Sequence, residues 1–158
     1  MNGKWLLLAA AILALDQYTK YLVTERLLLH EVVPVTPFFN LVLVYNRGAA
    51  FSFLAQAGGW QNGLFIAIAL GASLWILYLL RKHPHDTLFC LALSLVLAGA
   101  LGNLIDRLQF GAVVDFLDFH AFGWHWPAFN MADSAITCGA ALLIWDALFP
   151  RKRHTATG

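Results

Sequence analysis

Two stretches of this chain, Gly63–Leu80 and Leu88–Ile105, run for 18 residues each without one charged side chain. As a helix, each would be about 27 Å long, close to the roughly 30 Å hydrocarbon thickness of a bilayer. A soluble domain needs charge to cover its surface, and this one has little to offer. Of its 158 residues 60% are hydrophobic and only 12% charged, with a mean hydropathy of +0.68. The chain therefore reads as a single membrane domain over residues 1–158, mainly α. A net charge of +1 gives no basic footprint for nucleic acid and no preference for an acidic partner.

Two further segments complete a set of four. Trp5–Val23 is apolar apart from Asp16, Gln17 and Lys20, and Ala135–Phe149 carries Asp146 and starts slightly upstream. The spans are placed at about 5–23, 62–80, 88–107 and 132–149, with outer loops at about 25–60 and 109–130. The first segment also has the elements of a cleaved signal peptide: Lys4, the apolar run Trp5–Leu15 and the small residues Ala9–Ala11. Its apolar character continues past Asp16 through Tyr18, Tyr21, Leu22 and Val23, however. Asp16 and Lys20 are spaced to pair on one helical face, which favours a retained span. Cys90 and Cys138 lie in apolar runs, without a CxxC or a His at ligand spacing, and read as two buried thiols packed as small hydrophobes.

Basic residues orient the bundle. Lys4, Arg81, Lys82, Arg151, Lys152 and Arg153 are six of the ten Lys and Arg, and all fall on one side. That side is expected to be cytoplasmic, with both termini inside. The outer loops are more than linkers. Val32–Val44 is rich in Val, Phe and Leu, and Leu41–Tyr45 favours short strands. Phe110–Phe129 holds five Phe and two Trp between and including its ends besides its other residues, a density suited to the headgroup level.

On this topology the polar residues gather at the outer ends of the spans. Asp16 and Lys20 come late in the first, and Asn46 and Arg47 lie in the first loop. Asn103, Asp106 and Arg107 share a face at the end of the third, Asp115 follows, and Asn130 and Asp133 open the fourth. Acids at such positions are costly and usually functional. Structural roles are open to each as well: Asp106 can pair with Arg107, Asp16 with Lys20, and Asp133 before Ser134 can cap a helix. Convergence from four separate stretches favours a site. Asp146, near the inner end and beside Arg151, reads as interfacial.

Four strings carry a more specific message. They are Asn46-Arg47-Gly48-Ala49-Ala50-Phe51-Ser52, Gly102-Asn103-Leu104-Ile105-Asp106-Arg107, Val113-Val114-Asp115-Phe116 and Phe129-Asn130-Met131-Ala132-Asp133-Ser134. In this order and spacing they resemble the bacterial lipoprotein signal peptidases (signal peptidase II) over essentially the whole chain. Arg47 stands where that family varies. The resemblance implies an intramembrane aspartyl endopeptidase of the bacterial inner membrane. It would cleave diacylglyceryl-modified prolipoproteins just before the lipid-bearing cysteine, next to membrane lipid. It implies Asp115 and Asp133 as catalytic residues, with Asp16, Lys20, Asn46, Asn103, Asp106, Arg107 and Asn130 in support. A small β-platform and a gating segment over the site are implied likewise. Neither a metal nor another cofactor is expected, and a monomer is.

The chemistry of the residues agrees. Two carboxylates close together share a proton, because both cannot ionise cheaply at low dielectric. One can then activate water while the other polarises a carbonyl. The amides of Asn46, Asn103 and Asn130 suit the orienting of such a dyad, Arg107 the holding of a carbonyl, and Gly48 a close backbone approach. Three other mechanisms or classes compete. Asp118, His120 and His125 share the second outer loop and are zinc-ligand types, but no HExxH is present. A Ser–Lys enzyme would use Lys20 with Ser52 or Ser134. A small proton- or ion-coupled transporter would explain intramembrane charge, but no repeat is seen and the cluster lies off the midplane.

Overall fold

The computed structural model describes residues 3–48 and 59–149. Ala49–Ser52 of the first string and the basic residues Arg151–Arg153 lie outside them. Along the chain come α1 (Gly3–Arg26), β1 (Val32–Thr36), β2 (Phe39–Asn46), α2 (Trp60–Lys82), α3 (Thr87–Phe110), β3 (Val113–Ala121), β4 (Trp124–His125) and α4 (Met131–Leu148). All four helices are long and apolar enough to cross a membrane. The architecture is mainly α with one small antiparallel sheet, in the order β1-β2-β3-β4.

Helix α3 is the centre of the bundle, with 56% of its apolar window buried against 17–22% in the other three. Asp86 caps its first turn by accepting from the Phe89 N–H at 3.3 Å. Gly111 ends it at φ 66°, a left-handed conformation that glycine adopts without penalty. Small residues let α4 lie against it, as between membrane helices generally. A Cβ on Gly99 would run into the Ala132 carbonyl, and one on Gly139 would come within 2.7 Å of the Ala92 carbonyl. One apolar cluster, including Trp5, Ile76, Leu80, Leu93 and Leu97, ties α1, α2 and α3 together. A second joins Val23 at the end of α1 to Leu43, Val114 and Phe116 of the sheet. Asp16 and Lys20 lie between the two along α1.

The sheet differs from expectation in one respect that matters. The sequence placed strands in the first outer loop and read Phe110–Phe129 as an interfacial segment. That segment in fact supplies the longest strand, β3, which pairs with β2. Apolar density hid the alternation: Val113, Val114, Asp115 and Phe116 are all buried, because both faces of the strand are covered. The aromatic character reappears at the β3–β4 turn, where Phe122 and Gly123 both have positive φ, as tight two-residue hairpins require. Phe122, Trp124 and Trp126 are exposed there.

A bulge in β2 sets which residues face the site. Asn40 pairs with Asp118 and Leu41 with Leu117, but beyond the irregularity Val44 pairs with Asp115 and Asn46 with Val113. The extra residue on β2 shows in consecutive buried Val42 and Leu43. Side chains alternate along a strand, so without it Tyr45 would take the place of Asn46 on the face of Asp115.

Candidate active site

Three elements bring the two catalytic candidates to one cavity. Asp115 is on β3, Asp133 is in the first turn of α4, and Asn46 ends β2; all three line a cavity of about 540 Å³. Its remaining wall includes Trp126, Phe129, Ser134, Thr137 and Cys138. Cys138 is thus exposed on this face and not buried, unlike Cys90, so only one of the two thiols is packed as the sequence suggested. The period of an apolar helix does not by itself reveal which face a cavity will leave open.

Each carboxylate is held by neutral amides. Asn46 Nδ2 donates to Asp115 Oδ2 at 3.1 Å, and Asn130 Nδ2 donates to Asp115 Oδ1 at 2.8 Å. Asn103 Nδ2 donates to Asp133 Oδ1 at 2.8 Å. Asn130 has a second task. It is the N-cap of α4, its Oδ1 accepting from the Asp133 N–H at 2.9 Å. The capping role that the sequence allowed to Asp133 therefore belongs to Asn130, and the Asp133 carboxylate is left to face the cavity. Asp115 is only 2% exposed. Burial first, then the charge of Asp133, push its carboxyl up to about 7, against the opposing pull of Asn46, Asn130 and Lys20.

Behind the carboxylates lies a buried ionic group. Lys20 Nζ bonds Asp16 Oδ2 at 2.9 Å and Asp106 Oδ2 at 2.7 Å, with all three side chains almost wholly enclosed. The Asp16–Lys20 pair is thus present, but the pairing of Asp106 with Arg107 is not: Lys20 takes Asp106. Adjacent helical residues diverge by about 100° and cannot face each other, which is the physical reason. Arg107 turns instead to carbonyls, donating from Nη1 to Asn103 at 3.3 Å and from Nη2 to Gly48 at 3.4 Å, and covers the Phe65 ring. Gly48 is buried, and its N–H donates to Asn46 Oδ1 at 2.9 Å. A Cβ on Gly102 would come within 2.5 Å of Asp16 Oδ2, so glycine makes room for that carboxylate.

Gln17, which the motifs do not mark as a site residue, belongs to this group as well. Its Nε2 donates to Asp16 Oδ2, Asp106 Oδ1 and the Gly102 carbonyl at 3.1–3.2 Å. A third polar residue inside an apolar segment, next to an acid, was the available signal.

Asp118, His120 and His125 are also neighbours, though at the hairpin. His125 Nδ1 lies 2.9 Å from Asp118 Oδ1, Asn40 Nδ2 donates to Asp118 Oδ2 at 2.8 Å, and the two imidazoles stack at 4.9 Å. The rings lie face to face and do not converge on a point, and among the described residues no three such side chains are grouped to hold a metal ion.

The family described as signal peptidase (SPase) II matches residues 8–149. The chain belongs to that family. A lipoprotein signal peptidase of Burkholderia mallei is 58% identical over 144 residues, covering 91% of this chain and 87% of its own. One from Paraburkholderia phymatum is 56% identical over the same shares. Two solved structures of a bacterial membrane enzyme superpose with a TM-score of 0.83 each. They are 33% and 34% identical, and cover 97% and 96% of this chain and 94% and 96% of theirs. Signal peptidase II membership and four apolar helices make this a multi-pass inner-membrane peptidase. A proton- or ion-coupled transporter is not favoured.

Proposed function

We propose that the chain is an aspartic endopeptidase that removes the signal peptide from diacylglyceryl-modified prolipoproteins, cutting before the lipidated cysteine. One observation carries the aspartic mechanism: two carboxylates from separate elements, each fixed by neutral amides, open into the same cavity. Asn donors orient a carboxylate without adding a charge that would force both to ionise.

The dyad holds one proton between Asp115 and Asp133. The ionised member takes a proton from water as the water oxygen attacks the scissile carbonyl, and the protonated member donates to the carbonyl oxygen. Collapse of the tetrahedral intermediate breaks the C–N bond. The proton taken from water passes to the leaving nitrogen, and the hydroxyl proton returns to the dyad. No metal ion or other cofactor enters these steps. Arg107, whose guanidinium already turns to the Asn103 and Gly48 carbonyls, is suited to hold a substrate carbonyl.

The location suits the substrate. With both termini cytoplasmic, the dyad lies near the extracytoplasmic face, where two acyl chains hold the modified cysteine at about 0.8 kcal/mol per buried CH₂. The signal helix enters sideways along α4, past Thr137 and Cys138. The enzyme acts as a monomer. Cleavage in mild detergent or lipid, with and without the diacylglyceryl group, is the test. Lipid-dependent cleavage, lost in Asp115→Asn and in Asp133→Asn and indifferent to a chelator, is expected. Chelator-sensitive cleavage that survives either substitution would overturn the reading.

A further inference from the structure

The Asp16–Lys20–Asp106 group does more than neutralise itself. Asp106 Oδ2 accepts from the main-chain N–H of Val114 at 3.1 Å, and Asp16 Oδ1 accepts from the main-chain N–H of Ala132 at 2.8 Å. Val114 immediately precedes Asp115, and Ala132 immediately precedes Asp133. Each acid of the ionic group therefore grips the backbone one residue before one acid of the dyad, and Lys20 ties the two grips together. Lys20 also donates to Asn103 Oδ1 at 3.1 Å, and the same amide donates from Nδ2 to Asp133. Asn130 Nδ2 reaches Asn103 Oδ1 at 3.3 Å and Asp115 Oδ1 at 2.8 Å.

We infer that Asp16, Lys20 and Asp106 are positioning residues that set the spacing of the Asp115–Asp133 pair through the Val114 and Ala132 amides, and that Lys20 biases its charge through Asn103. The inference rests on the aspartic reading above. Its chemistry divides in two. The grips need only an acceptor oxygen, which asparagine supplies and alanine does not. The bias needs the cation. Among the described residues, the charged groups around the dyad are Asp16 and Lys20 from α1, Asp106 and Arg107 from α3, and the two aspartates themselves, with the Cys138 thiol of α4 on the same cavity wall. Without Lys20, Asp115 keeps its proton to higher pH.

The experiment measures kcat, KM and the pH profile on a diacylglyceryl prolipoprotein in mild detergent, with thermal unfolding alongside. Asp106→Ala and Asp16→Ala are expected to lose about 100-fold in kcat at nearly constant KM, the effect of a small misplacement of reacting groups. Asp106→Asn and Asp16→Asn should recover most of that loss. Lys20→Met should move the profile to higher pH, and Asp106→Asn, which removes a negative charge, to lower pH. Where Lys20→Met does not fold, Lys20→Met with Asp106→Asn keeps the group's net charge and an acceptor for Val114. This double variant should retain a profile near that of the parent. Asparagine variants as slow as the alanine ones, though folded, would overturn the grips, and unmoved pH profiles would overturn the bias. Asp115→Asn and Asp133→Asn run beside them: if either still cleaves, the aspartic reading fails first, and if neither does, a negative result belongs to the positioning group alone.

Discussion

Asp115 and Asp118 sit three residues apart on β3, on opposite faces of one strand, and both are buried. Burial raises both, yet their carboxyls move in opposite directions. Asp115 faces another carboxylate and is pushed up to about 7. For Asp118, burial is overcome by the Asn40 amide and by His125 and His120, and the group is held below its ordinary value. A buried acid held by hydrogen-bonding partners is a structural fixture, whereas one facing a second acid can hold a proton near neutral pH. The face of the strand, not the residue type, decides which becomes the catalytic candidate.

The largest break in that comparison is to neutralise each acid. Asp115→Asn should abolish cleavage, by on the order of 10⁴-fold, while the protein still folds and unfolds cooperatively in detergent. Asp133→Asn should behave alike. Asp118→Asn should leave cleavage within a few-fold, because His125 and Asn40 touch no group at the dyad. Equal losses at Asp115 and Asp118 would erase the distinction between the faces.

Next in size is Gly102→Ala. The added methyl meets the Asp16 carboxylate and Ala132 Cβ, so it presses on the Ala132 grip without removing a charge. Cleavage should fall by about 10- to 100-fold with the substrate KM nearly constant. A variant as active as the parent would mean that α3 and α4 separate freely at this point, and that the Asp16 contact does not position Asp133.

These residues also show what could be read from the chain and what could not. Four spans followed from two charge-free runs and two further apolar segments, and the gathering of Asp16, Lys20, Asn103, Asp106, Asp115, Asn130 and Asp133 followed from the alternation of helix direction. Partner choice did not. Asp106 pairs with Lys20, 86 positions away, because only the packed bundle brings α1 against α3, and sequence spacing offered Arg107 next door. The N-cap went to Asn130 because capping depends on where the helix starts, and a shift of three residues changes the capping residue. The β2 bulge that turns Asn46 toward Asp115 has no signature in an apolar run such as Phe39–Tyr45.

A finer test concerns pH. With the Asp115 carboxyl raised to about 7, the singly protonated dyad persists to near neutrality, and kcat/KM should decline above about pH 7 as the second proton is lost. Asn46 donates to the ionised form and so opposes the rise. Asn46→Ala should therefore move the alkaline limb to higher pH, whatever it does to the maximum rate. A limb displaced to lower pH would mean that the Asn46 amide favours the protonated carboxyl, and that Asp115 is raised for a different reason.

The smallest expected effect is on stability and separates the two acids by sign. Asp115, raised in the folded state, binds its proton more tightly than the unfolded chain does between about pH 4 and pH 7. It thus contributes a stability that declines with rising pH across that window and is level above it. Asp118, held low, acts in the opposite sense: its contribution is present above about pH 4 and is lost as pH falls through its lower folded-state value. Asp118→Asn should flatten the acid side of the curve of unfolding midpoint against pH and leave the region from pH 4 to 7 unaltered. Asp115→Asn should do the reverse. His125→Gln provides the control, since it removes the imidazole from Asp118 but leaves the Asn40 bond. It should reproduce part of the Asp118→Asn flattening, with the hairpin loosened and the dyad untouched. Identical curves for the two asparagine variants would show that burial alone, common to both faces of β3, governs them.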